Sequence, residues 1–359
     1  MGLIVFFTGY QPACHGDNVH SMKGCGGSEI AFIETAQELY KLGHTIQVFS
    51  PMYCDQNEKE CQGIHFSNEK HMEKFMQENE IDAFIISRYI YPLFAFRLRY
   101  KKMFIWMHDL TFQPWFNKMQ IPLYGSLLVY NMLPLIEKIV YVSDFQRWNN
   151  DLACFFKMPM EKTFIIGNGL SQSLIDQSRK EIQKVPFSFV WCSNQCRGLS
   201  NLAKLWPLLS NAIKNEFNVQ PILKICGAPC DPLDINIELL TISDPNVTNH
   251  GKVSQQDMFE MMKSAHVWFY PTNFHETYCM VAKEAQLAGC ICIAVDIGAL
   301  KETLGEFGTI YDRNMDDASV VNLIIETLKK PFDPQAMFEK VSKETWEQRA
   351  LQWEKLIFS

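Results

Sequence analysis

Two glutamates eight positions apart, Glu276 and Glu284, follow the apolar run Val267 to Tyr270 and a Pro271-Thr272-Asn273 loop. That order puts Glu276 near a helix start at a strand's carboxyl end, with Glu284 about two turns further on. Eight residues at about 100° each turn through about 800°, which leaves the carboxylates roughly 80° apart round the axis. Such a pair need not act on one atom; it can grip opposite ends of one long ligand. Read singly, Glu276 is a complement to the positive end of a helix and Glu284 a solvated face residue. A second constellation is Gly24-Cys25-Gly26-Gly27-Ser28-Glu29, which opens the first helix. Glycines let backbone approach a ligand without a Cβ in the way, and a helix start offers unpaired N–H groups. This suits a diphosphate, and equally a turn capped by Ser28 and Glu29. It is neither a Walker A loop nor a GxGxxG directly after a strand.

Short apolar strands alternating with helical patterns are what position these groups, and that alternation predicts parallel sheets wound by helices on both faces. In the first half the expected strands are Leu3 to Gly9, Thr45 to Phe49, Ala83 to Ser87, Met103 to Met107 and Ile139 to Val142, with a helix over Ser28 to Leu42. From Asn168 to Pro186 the text is polar and strandless, which suits a hinge. The alternation then restarts: strands at Phe187 to Cys192, Ile222 to Cys226, Val267 to Tyr270 and Ile291 to Val295, helices at Leu199 to Ala212, Gln256 to Ser264 and Tyr278 to Ala288. The expected division is 1–170, a hinge at 171–185, and 186–341. The tail 342–359 carries Trp346, Leu351, Trp353 and Leu356; it reads as an ordinary amphipathic surface helix or as one that returns to complete the first domain. Two doubly wound domains leave a ligand site outside the carboxyl ends of their strands.

Composition narrows the chemistry. The chain has 359 residues, 47% hydrophobic and 20% charged, with a net charge of −7. That is ordinary globular composition, and its sign argues against a nucleic-acid or anionic-membrane protein. The opening Leu3 to Phe7 run fits neither a signal peptide nor a membrane span, so a cytoplasmic enzyme is expected. The 12 cysteines are scattered through apolar runs, favouring reduced core thiols over a disulfide frame. The close pairs Cys192/Cys196, Cys226/Cys230 and Cys290/Cys292 lack the further ligands of a zinc site. Neither metal nor cofactor is expected.

The residues also carry a resemblance. Glu276, seven intervening residues and Glu284, followed by Ala-Gln-Leu-Ala-Gly-Cys, resemble the E-x7-E signature of retaining glycosyltransferases of the GT-B fold, family 4 in particular. Gly26-Gly27-Ser28-Glu29 is similar to that family's amino-terminal glycine loop. Gly167-Asn168-Gly169-Leu170 resembles its asparagine-glycine step into the hinge. Arg197-Gly198-Leu199, with Leu202 and Trp206-Pro207, resembles the basic-glycine motif that opens the carboxyl domain. Asn249-His250-Gly251-Lys252-Val253 looks like the nucleotide-base loop, and Trp106-Met107-His108-Asp109 like the segment that places a histidine at the reacting sugar.

The resemblance implies an α/β GT-B fold, two Rossmann-like domains facing across a cleft, with a nucleotide diphosphate sugar as donor. It assigns ribose hydroxyls to Glu284 and the transferred sugar to Glu276 and His108. The diphosphate falls to the helix start around Thr277, Tyr278, Cys279, Met280 and Val281, with Arg197 as cation. Gly26, Gly27, Asn168 and Val253 complete the donor set, and Asp109 either orients His108 or contacts the acceptor. Two departures stand out. The stretch before Arg197 reads Trp191-Cys192-Ser193-Asn194-Gln195-Cys196, so a further basic residue common in the family is missing, with Lys224 or Lys283 as substitutes. The usual glycine-phenylalanine-glycine after the first glutamate is Thr277-Tyr278-Cys279.

Transfer from a GDP- or UDP-sugar to a glycan, lipid or small-molecule hydroxyl is thus the expected reaction. A sugar-nucleotide epimerase of related fold and a non-catalytic nucleotide- or glycan-binding module are the alternatives. The base, sugar and acceptor are not legible. The basic run Arg97 to Lys102 reads as a solvated helix end before it reads as a nucleic-acid or membrane contact. Trp106, Phe112, Trp115, Phe116 and Tyr124 read as core packing before they read as a sugar-stacking face.

Overall fold

A computed structural model of the chain describes residues 1–9, 19–21, 25–52, 58–111, 129–153, 158–180, 183–228 and 244–359. Gly24, Phe112, Trp115, Phe116 and Tyr124, singled out above, lie outside the described residues. The chain divides into two compact units. One comprises Met1–Val19, Gly26–Gly169 and Thr345–Ser359; the other comprises His20–Cys25 and Leu170–Glu344.

Among the described residues the first unit holds an eight-stranded sheet in the order β3-β4-β2-β1-β5-β6-β7-β8. Its strands are β1 Leu3–Thr8, β2 Thr45–Ser50, β3 Lys59–Cys61, β4 Ile64–Asn68, β5 Ala83–Ser87, β6 Lys102–Trp106, β7 Lys138–Tyr141 and β8 Thr163–Ile165. All neighbours are parallel except β3, which pairs with β4 antiparallel. The central strands are mostly apolar, as β1 (LIVFFT) shows, because helices cover both faces of a parallel sheet. Gly26 is the N-cap of the helix Gly27–Lys41, and Glu29 folds back onto the Gly26 amide, a capping box. The helix Trp346–Phe358 belongs to this unit although it is last in sequence. Its Trp353 is fully buried and meets Trp106 edge-on at 5.4 Å and Phe104 at 6.0 Å. Aromatic pairs of this kind contribute about 0.5–1.5 kcal/mol each beyond the area they bury.

Among the described residues the second unit holds a six-stranded, wholly parallel sheet in the order β11-β10-β9-β12-β13-β14. The strands are β9 Val185–Cys192, β10 Ile222–Cys226, β11 Val247–Asn249, β12 Ala265–Tyr270, β13 Ile291–Val295 and β14 Gly308–Tyr311. Its core runs from Phe189 and Trp206 to Ile293 and Ile324. The strand order reverses between β9 and β12, the point where an open α/β sheet leaves a crevice beyond its carboxyl ends. Within the stretch read as a hinge, Gln172–Ser178 is helical and clusters with this second unit.

Among the described residues Cys192, Cys226, Cys279, Cys290 and Cys292 are free thiols. Cys196 departs from the expectation of reduced thiols, because it is disulfide-bonded.

Candidate functional site

The loops leaving β9 and β12 bring Arg197 and Glu276 together at the switch point of the second sheet. Tyr270 ends β12, and its hydroxyl donates to Glu276 Oε1 at 2.7 Å. A phenol has one proton to give, so the Ser193 hydroxyl, 3.0 Å away, is the donor to the Tyr270 oxygen. Arg197 Nη1 reaches the same Oε1 at 3.3 Å, and its guanidinium lies 4.0 Å from the centroid of the Phe274 ring. Glu276 is 7% exposed. The carboxylate is thus aimed by two donors and held in one place before any substrate arrives.

Two glycines make this approach possible. Gly198, at φ +103°, caps the helix Leu199–Phe217, and a Cβ there would lie 2.6 Å from the Pro271 carbonyl oxygen and Thr272 Cα. Gly298, at φ +63°, lies against Glu276 itself, with a Cβ 2.5 Å from its backbone nitrogen. Ala299 N then donates to Glu276 O at 2.8 Å. The Glu276 loop is docked on the chain that follows β13.

The helix with the second glutamate begins only at Met280 and runs to Leu287. This corrects the placement of both carboxylates on one helix: Glu276 lies four residues ahead of it, in the loop, so the 80° argument does not apply. Cys279 is the N-cap and has left-handed backbone, φ +69° and ψ 74°. A residue with a Cβ adopts that conformation at a cost of about 1–3 kcal/mol. The position is the last of the Thr277-Tyr278-Cys279 departure from glycine. Burial, then the Glu276 charge, pushes the Cys279 thiol well up, so it stays protonated. The first-turn amides of Met280 and Val281 are of the kind that a helix leaves for an anion. Thr303 Oγ1 fixes the turn by donating to the Tyr278 carbonyl.

Glu284 is 2% exposed. Its Oε1 accepts from Gln255 Nε2, while its Oε2 is buried with no hydrogen-bond partner among the described residues. Burial pushes this carboxyl up to about 7. Unfolded, the group titrates at 4.5, so ionisation costs the fold stability, which falls as pH rises from about 4.5 through about 7. The candidate substitutes for the missing cation are otherwise engaged: Lys283 with Glu344 at 2.7 Å, Lys224 with the Ser264 hydroxyl at 3.2 Å. Val253 packs on the second unit's core just ahead of the helix Gln255–Ser264.

In the first unit His108 follows β6. It is 8% exposed, with its ring centroid 4.6 Å from that of Trp106. Burial, and secondarily the charge of Arg88, pushes its pKa down to about 3, so the imidazole is neutral at physiological pH. Asp109 is paired with Arg88, 2.5 Å from Nε and 3.3 Å from Nη2. Gly26 and Gly27 sit at the capped start of their helix. Asn168 is buried, its carbonyl accepting from Arg349 Nε at 3.2 Å. Among the described residues no group of three His, Cys, Asp or Glu side chains could hold a metal ion, and no helix is long and apolar enough to cross a membrane.

Residues 197–345 match the family described as Glycosyl transferases group 1. The second unit carries a glycosyltransferase group 1 domain. With it, the chain is a glycosyltransferase enzyme. The whole chain is similar in fold to sucrose-phosphate synthase from Thermosynechococcus elongatus, at 16% identity and a TM-score of 0.72, covering 99% of this chain and 98% of that one. It is also similar to HepE from Anabaena, solved in complex with UDP and glucose, at 15% identity and a TM-score of 0.68 with 99% of each chain covered. A glycosyltransferase from Rickettsia africae matches at 15% identity and a TM-score of 0.69, over 99% of this chain and 97% of that one. No curated protein sequence matches. The two doubly wound units are those of the GT-B fold.

Tyr270, Ser193, Gln255, Gly298 and Arg88 are absent from the sequence-level list. Tyr270 alone left a signal, a hydroxyl closing the otherwise apolar run Val267 to Tyr270.

Proposed function

We propose that this glycosyltransferase moves a sugar from a nucleoside diphosphate donor to an acceptor hydroxyl with retention at the anomeric carbon. The observation that carries the reading is the pairing of Glu276 with Arg197 at the switch point, followed by the Met280–Leu287 helix start and then by the buried, half-satisfied Glu284. In this reading the diphosphate lies against the Met280 and Val281 amides and Arg197, Glu276 takes hydroxyls of the transferred sugar, and Glu284 takes those of the ribose.

The bond from the anomeric carbon to the phosphate oxygen breaks, the acceptor oxygen bonds to that carbon on the same face, and its proton passes to the departing phosphate. Negative charge grows on the leaving diphosphate. A fixed guanidinium and a helix start already aimed at it lower the barrier more than they help ground-state binding. No metal is called for in this scheme. His108 of the first unit, being neutral, has a hydrogen bond to offer and not a proton. The donor is a GDP- or UDP-sugar; the UDP and glucose bound to the similar Anabaena protein favour uridine. The acceptor is a glycan, lipid or small-molecule hydroxyl. The free core thiols suit the cytoplasm, and the disulfide at Cys196 suits an oxidising compartment.

The test is incubation with GDP-mannose, UDP-glucose, UDP-N-acetylglucosamine and ADP-glucose. One of them should release nucleoside diphosphate slowly without acceptor, faster with a sugar acceptor, and give a product whose anomeric proton coupling matches the donor's. Release from none of the four, or an inverted product, contradicts the reading.

A further inference from the structure

The second glutamate is held by a chain of side chains that the donor-binding reading does not use. Gln255 opens the helix Gln255–Ser264, pinned there because the Ser254 hydroxyl caps the Asp257 amide at 3.1 Å and donates to the Asp257 carboxylate at 2.7 Å. Its side chain is 9% exposed and points inward, where Nε2 donates to Glu284 Oε1. The amide oxygen faces His20 Nδ1. With the Gln255 amine committed to a carboxylate, which only accepts, its oxygen is left as an acceptor, so His20 carries its proton on Nδ1. His20 sits in the short helical turn Val19–Ser21, far away in sequence but counted with the second unit.

One carboxylate oxygen is therefore occupied, and the other, Oε2, is buried with no hydrogen-bond partner among the described residues. An unsatisfied buried acceptor costs free energy until a donor reaches it, and a vicinal diol supplies such donors. We propose that Gln255 is a positioning residue for nucleotide recognition: it holds Glu284 so that Oε2 faces the ribose hydroxyls, and His20 fixes the amide orientation this requires. The inference rests on the reading that Glu284 binds ribose. It makes discrimination for the ribose diol depend on Gln255, a residue that touches no substrate.

The experiment is calorimetric titration with GDP, UDP and ADP, taking the tightest binder and its 2′,3′-dideoxy analogue. A hydrogen bond to a charged acceptor is worth about tenfold to a hundredfold in affinity, so the wild type should prefer the ribonucleotide by that factor. Gln255→Leu should reduce the preference to within about twofold by weakening the ribonucleotide while leaving the dideoxy analogue's affinity in place. A merely structural role would weaken both equally. His20→Leu, which leaves Gln255 in place should Gln255→Leu fail to fold, should reduce the preference at least threefold. An undiminished preference in either folded variant overturns the inference. Glu284→Gln separates the two levels: if it also leaves the preference intact, or if none of the three nucleotides binds the wild type, the ribose reading itself falls. If Glu284→Gln abolishes the preference and Gln255→Leu does not, only the role of Gln255 is lost.

Discussion

Glu276→Gln will leave the fold standing and lower nucleoside diphosphate release from the active nucleotide sugar by a factor of about 10²–10³, the loss found when one preorganised group is removed from a transition-state site. The substitution keeps shape and volume. The amide oxygen still accepts from Tyr270, so the Ser193-Tyr270 link survives. What disappears is the negative charge. The sugar hydroxyls lose a charge-assisted acceptor, and Arg197 loses the partner that holds it 3.3 Å away. Because the ion pair includes a guanidinium with a side chain 40% exposed, little of this effect is global stability. Release measured at saturating donor, alongside an unchanged melting temperature, checks the prediction; a drop of less than threefold in a folded variant removes Glu276 from the mechanism.

Lys184→Met will destabilise the second unit by about 3–5 kcal/mol. Lys184 Nζ donates to the carbonyls of Met262 at 3.1 Å, Ala265 at 2.7 Å and Ala288 at 2.7 Å. Those carbonyls close two helices, Gln255–Ser264 and Met280–Leu287, so one ammonium caps the negative ends of both. Each hydrogen bond to a charged group is worth about 1.5–3 kcal/mol, and removing the amine leaves three carbonyls beside the Cys290 thiol with no replacement donor. Burial pulls the amine's pKa down. The site depends on this cap, because the second of those helices carries Glu284. Urea unfolding followed by tryptophan fluorescence measures the loss; a change below about 1 kcal/mol would show that water replaces the amine.

The legible parts of the chain are those where burial on both faces writes a continuous apolar run. Ala83–Ser87 and Ile291–Val295 could be read to the residue for that reason, and Ile222–Cys226 was read as well although Lys224 interrupts its apolar run. Lys59–Cys61, Thr163–Ile165 and Val247–Asn249 could not: each is three residues long, partly polar, and a strand only because a longer neighbour offers its edge. The two glutamates were legible as a pair through their spacing. Their geometry was not, because the helix start is fixed by a left-handed Cys279 and by docking on Gly298 and Thr303, and none of these leaves a local pattern. Lys283 read as a candidate phosphate cation until its partner Glu344, 61 positions away, was in view. Gln255 and His20 are 235 positions apart, and no periodicity links them.

The most direct test is a crystal structure of the protein with the nucleoside diphosphate it releases. The account predicts phosphates against the Met280 and Val281 amides within reach of Arg197, and ribose hydroxyls on Glu284 Oε2. A nucleotide bound elsewhere in the second unit, or a ribose that leaves Glu284 untouched, would contradict it.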